Sequence, residues 1–146
     1  MDTDPLDRAV WSSLVGDHRH LADVDPTGRV ARYRRDVGMF GALDIPDQSG
    51  WEIAAEVIRP GGHLGLFQAD VAQPPAGAWE VVFREEANQF VAGVMRDDAS
   101  DVEIVALGPE HVPAMVELTT LTQPGPFKAG TIEMGHYYGI FHGPTL

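Results

Sequence analysis

The chain of 146 residues has no cysteine. A disulfide framework, a thiolate metal site and a thiol nucleophile are therefore excluded, and with them zinc fingers and cysteine hydrolases. Positive charge is also scarce: 10 Lys and Arg face 22 Asp and Glu, for a formal net charge of -12. Long-range repulsion disfavours nucleic acid and anionic membrane as partners, whereas a cationic or amine-bearing partner is easier to accommodate. Long apolar runs are missing. Stretches such as Phe90 to Met95 fall far short of the ~20 residues that a membrane-spanning helix needs. The start, Met1-Asp2-Thr3-Asp4, is acidic where a secretory signal is basic, so the expected location is cytoplasmic with no membrane partner. Two catalytic signatures are absent as well, the Gly-x-Ser-x-Gly elbow and the Gly-Lys-Ser/Thr ending of a phosphate loop.

What is present suits a globular chain: 44% hydrophobic and 22% charged residues can build a core. Asp4-Pro5-Leu6-Asp7 predicts a helix start, and Leu6, Val10 and Leu14 continue one apolar face until Gly16. Asp17 to Asp25 reads as a polar loop, followed by a turn at Asp25-Pro26-Thr27-Gly28 and a strand from Arg29 to Tyr33. Ser49-Gly50-Trp51-Glu52 has the pattern of a capping box, with Trp51, Ala55 and Ile58 on one helical face and Pro60-Gly61-Gly62 as the stop. Leu64 to Phe67 predicts a buried strand. Trp79 to Arg84 and Gln89 to Val94 predict a hairpin with Glu85 and Glu86 solvated at its tip. The charged stretch Arg96 to Asp101 marks a domain boundary, dividing an accessory α/β region, residues 1–98, from a second segment, residues 101–146.

In the second segment Val102, Ile104 and Ala106 alternate in a strand, and Val112, Met115, Val116 and Thr119 share a helical face. Pro113 has to lie in that helix's first turn. Gln123-Pro124-Gly125-Pro126 breaks it, Thr131 to Gly135 predicts a short second helix, and Tyr137 to Phe141 a strand.

Other clusters read blandly. His18 and His20 near Asp17 and Asp23 lack metal-site spacing, so no metal is expected. Glu133 and His136 suit a local hydrogen bond or simple exposure. Arg32, Arg34 and Arg35 beside Tyr33 form the basic cluster of an acidic chain and suit a salt-bridge network rather than nucleic-acid binding. Trp11, Trp51 and Trp79 are expected in or beside the core.

The run Val102-Glu103-Ile104-Val105-Ala106-Leu107-Gly108-Pro109-Glu110-His111-Val112-Pro113-Ala114-Met115, continued by Leu118 to Phe127 and by Glu133-Met134-Gly135-His136-Tyr137-Tyr138-Gly139-Ile140, resembles the opening of a GNAT-type N-acetyltransferase domain. The resemblance covers about the last third of the chain, and the first two thirds resemble the divergent region that precedes that domain in a bacterial subgroup. It implies a mixed α+β or α/β fold, GNAT-like, with the accessory region followed by an incomplete acyl-CoA N-acyltransferase-type domain. It further implies acetyl-CoA as co-substrate and a small-molecule amine as acceptor, with Phe127, Lys128, Thr131, Tyr137 and Tyr138 near the acceptor pocket. The family's cofactor loop, Gln/Arg-x-x-Gly-x-Gly/Ala at a helix start, does not occur in the sequence. The expectation is a truncated, inactive enzyme, and no catalytic or cofactor-binding residue is carried over. The alternative is a non-catalytic binding or interaction protein, either a homodimer or one whose carboxy-terminal strand completes a partner's sheet.

Overall fold

The computed structural model describes residues 4–70, 73–91, 93 and 102–146. A 3₁₀ turn, Pro5–Arg8, opens the described chain, with the Asp4 carboxylate accepting from the Leu6 amide at 2.9 Å. It leads into helix α1, Ala9–Val15. Three short strands follow, β1 (Ala22–Val24), β2 (Val30–Tyr33) and β3 (Gly41–Leu43), paired antiparallel in that order with β2 central. Helix α2 spans Gln48–Ile58.

Because strand side chains alternate, Ala31 and Tyr33 face one way from β2 while Val30 and Arg32 face the other. Each face acquires its own core. Ala31 and Tyr33 pack with Leu14 of α1, Leu21 and Val37; Val30 packs with Leu43 and with Trp51 and Ala54 of α2. Burying a side chain as fully as Leu14 contributes about 1.5–3 kcal/mol, so these two clusters hold α1 and α2 against the sheet. Beside β3 the chain approaches its own backbone. The Gly41 amide donates to the Gly65 carbonyl, and a Cβ on Gly41 would lie 2.6 Å from Leu64 and 2.8 Å from the Ala31 carbonyl, so glycine alone fits.

The second segment forms its own ladder. Strand β4 (Val105–Leu107) pairs antiparallel with β5 (Tyr137–Gly139), Leu107 opposite Tyr137. Between them lie a 3₁₀ turn, Pro109–His111, helix α3 (Val112–Thr122) and a 3₁₀ segment, Ala129–Met134. Pro113 sits in the first turn of α3, and Gln123 ends the helix in the left-handed region at φ 48°. The 3₁₀ segment seats on the first region, with Met134 packed against the Leu14 and Tyr33 cluster.

Several expectations need correction. The cap of α2 is Asp47, which accepts from the Gly50 amide at 2.8 Å; Ser49 lies inside the helix, and Glu52 accepts from the Gln48 side chain. Asp47 is the better cap because its carboxylate also meets Arg29 at 2.8 Å. The buried face of α2 is Trp51, Ala54 and Ile58, with Ala55 to one side. The stretch Asp17 to Asp25 is not all loop, since it contains a 3₁₀ turn and β1, and β3 was not anticipated. Leu64 to Phe67 makes a single parallel bridge, Phe40 to Gly65, and is no strand. The hairpin from Trp79 is also absent among the described residues. The chain from Glu80 to Val91 has no ladder, and Val82, Phe83 and Phe90 are exposed, so apolar composition without a partner strand builds no sheet. Val94 and most of the boundary stretch lie outside the described residues.

Candidate functional site

The residues expected near an acceptor pocket come from the loop after α3, the 3₁₀ segment and β5. Phe127, in the loop that follows the end of α3 at Gln123, stands edge-on to Tyr137 with ring centroids 5.9 Å apart. Burial of the Tyr137 ring pushes its phenol above the ordinary value, so it remains a neutral hydroxyl at physiological pH. Lys128 and Thr131 close the start of the 3₁₀ segment: the Lys128 amide donates to the Thr131 hydroxyl at 2.9 Å. That hydroxyl in turn donates to the Val37 carbonyl at 2.6 Å, and the Lys128 ammonium donates to the Arg35 carbonyl at 2.6 Å. Thr131 is buried, so its polar group is committed to structure. Tyr138 points to the opposite face of β5 from Tyr137, as alternation requires, and is 63% exposed. The structure thus brings Phe127 to Tyr137 and Lys128 to Thr131, and sends Tyr138 elsewhere.

Phe127 also lines a shallow depression of 320 Å³ with Thr119, Thr120, Gln123, Gly125 and Pro126. The sequence reading missed these α3 residues, although the clustered threonines before Gln123-Pro124 were a signal. Their hydroxyls turn inward: Thr119 donates to the Met115 carbonyl and Thr120 to that of Val116. Both can still accept from a ligand.

One further connection fixes this region. Arg34 grips Glu133 with two contacts of 2.9 Å and meets Asp36 at 3.4 Å. Of the cluster Arg32, Arg34 and Arg35, only Arg34 forms the expected ion pairs among the described residues, and Glu133 pairs with it rather than with His136. Those carboxylates hold the Arg34 guanidinium above its ordinary value. His18 hydrogen-bonds the Tyr33 hydroxyl at 2.7 Å, and His20 contacts the Asp17 carbonyl. Among the described residues no group of three or more His, Asp or Glu could hold a metal, and no helix is long and apolar enough to cross a membrane.

Comparison with known proteins gives a single kind of answer. No protein-family model matches the chain, and no curated protein does. Among solved structures it is similar to a crystal structure from Novosphingobium aromaticivorans DSM 12444, described as an acetyltransferase from the GNAT family, with 27% sequence identity and a TM-score of 0.73. The match covers 99% of this chain and 62% of that one. The two small sheets and their helices are thus a mixed α+β, GNAT-like fold. Both the first region and the second segment fall within the match.

Proposed function

We propose that this chain is part of a GNAT-type N-acetyltransferase, which moves an acetyl group from acetyl-CoA to a small-molecule amine. The observation that carries this reading is the match over nearly the whole chain to a structure described as a GNAT acetyltransferase. The sequence run from Val102 to Ile140 supports it independently. In this reading Phe127, Lys128, Thr131 and Tyr137 border the acceptor side, with Phe127 and Tyr137 supplying an apolar wall and the Tyr137 hydroxyl a neutral donor, while Tyr138 lies on the other face of β5. Thr131 and Lys128 hold the wall in place. The net charge of -12 favours the approach of an ammonium-bearing acceptor.

Such transfer needs donors that hold the cofactor's pyrophosphate and polarise its thioester carbonyl. The 146 residues contain no Gln/Arg-x-x-Gly-x-Gly/Ala loop and span 62% of the matched chain, so these residues alone are proposed not to turn over acetyl-CoA. Mixing the chain with acetyl-CoA and a panel of small amines, and following thiol release, tests this. No release is expected. Sustained release dependent on an amine would show that a cofactor site exists without the loop. A match of the amine-binding residues alone would still appear as a shift in Tyr137 and Phe127 resonances on adding amines.

A further inference from the structure

A second cleft lies on the far side of the central sheet, formed where β2 and β1 meet the end of α2. It has a volume of 540 Å³ and is lined by Asp23, Arg32, Arg35 and the turn Val57 to Gly62, including Arg59. Three arginines thus line one opening in a chain whose overall charge is strongly negative.

Arg32 is the unusual member. It is 7% exposed, on the same face of β2 as Val30, at the strand end where Ile58 closes α2. Its Nε donates to the Tyr33 carbonyl at 3.0 Å. Its two terminal nitrogens have no hydrogen-bond acceptor among the described residues, and no carboxylate lies within ion-pairing distance, although Asp23 stands opposite it in the ladder. Asp23 offsets part of its charge, but the terminal nitrogens reach the cleft without an acceptor among the described residues, and an arginine fork is shaped for two oxygens of one anion. Burial, reinforced by Arg35 and opposed by Asp23, pulls its guanidinium below the ordinary value.

The charge balance favours an anion. Three arginines less Asp23 leave a formal +2 in the cleft. The carboxy-terminal end of α2 opposes this with only about half an elementary charge. We propose that this cleft binds a phosphate-bearing small molecule, with Arg32 as the buried fork and Arg35 and Arg59 closing on the outer oxygens. A double charge matches a phosphate monoester or pyrophosphate better than a single carboxylate. The lining offers Val57 and Ile58 but no aromatic ring to stack a base, so recognition is of the phosphate.

Titration calorimetry of the 146-residue chain at low salt, with inorganic phosphate, pyrophosphate and citrate as separate probes, tests the proposal. Saturable binding of pyrophosphate or phosphate at one site is expected, accompanied by amide shifts at Gly61 and Gly62. Arg35 and Arg59 are both exposed, so R35Q/R59Q keeps the fold and should lower affinity about tenfold or more. R32Q should abolish binding, and R19Q, an exposed arginine outside the cleft, should leave it unchanged. Absence of saturable binding for both phosphates, or unchanged affinity in R35Q/R59Q, would overturn the site. Citrate binding as tightly as pyrophosphate would overturn the phosphate assignment. If R32Q does not fold, R35Q/R59Q decides.

Discussion

The hydroxyl of Thr131 donates to the backbone carbonyl of Val37 at 2.6 Å, joining positions 94 residues apart in the chain. The same oxygen accepts from the Lys128 amide, so a single buried atom both starts the 3₁₀ segment and seats it on the first region. This bond, the Gly130 amide to the Asp36 carbonyl and the Arg34 to Glu133 pair together hold the candidate acceptor wall.

Replacing Thr131 by valine keeps its shape but leaves the Val37 carbonyl and the Lys128 amide without their partner. A loss of about 1–3 kcal/mol is expected in urea unfolding, and T131S should recover most of it. Equal stability for T131V and the parent chain would show that the hydroxyl contributes only packing.

Gly130 is expected to be intolerant for a steric reason. A Cβ there would lie 2.8 Å from the Asp36 carbonyl oxygen, so alanine has to lift the segment away. G130A should cost about 1–3 kcal/mol and broaden the Phe127 and Tyr137 resonances. G135A, with nothing within 4 Å of the added Cβ, is the matched control and should lie within about 0.5 kcal/mol of the parent. A G135A loss as large as that of G130A would point to segment propensity instead.

The Arg34 and Glu133 side chains are 34% and 45% exposed, which limits the value of their paired contacts. A double-mutant cycle with R34Q and E133Q should give a small coupling that shrinks as salt is added. Coupling that persists unchanged in high salt would mean that the pair is better shielded than its exposure indicates.

Stability should also fall on the acid side. Burial pushes Asp25 up, but hydrogen bonds from the Thr27 hydroxyl, the Val30 amide at 2.6 Å and the Thr27 amide at 2.8 Å outweigh it and hold its carboxyl below the usual value. A carboxylate whose folded value is depressed stabilises the protein above its unfolded value, about 4, and loses that contribution as pH falls through the folded one. The gap in urea midpoint between the parent and D25N should therefore be largest near neutrality and narrow toward pH 3. A gap independent of pH would remove Asp25 from the acid limb.

Most of the second segment was legible because its signals are local. The Gly108-Pro109 turn, the Pro113 limit on α3 and the Gln123-Pro124 break each act through a few neighbouring residues. In the first region the sequence misled where structure depends on a distant partner. Gly41 to Leu43 became a strand because β2 is beside it, whereas Trp79 to Val91 has the composition of strands but no ladder among the described residues. The same holds for the sites. The candidate acceptor residues could be named from one stretch, while the seating of Thr131 on Val37 and the opening of Arg32 into a cleft needed chain segments that sequence spacing does not relate.

The seating of the 3₁₀ segment also has a kinetic meaning. The bonds 34 to 133, 36 to 130 and 37 to 131 all close one very long loop, and the entropy of that closure is opposed only once the first region has a surface to receive it. They should therefore form after the folding barrier, making the docked segment the last part to arrive and the first to leave. In stopped-flow experiments T131V should speed unfolding and leave refolding nearly unchanged. A slowed refolding limb would instead place that contact in the folding nucleus.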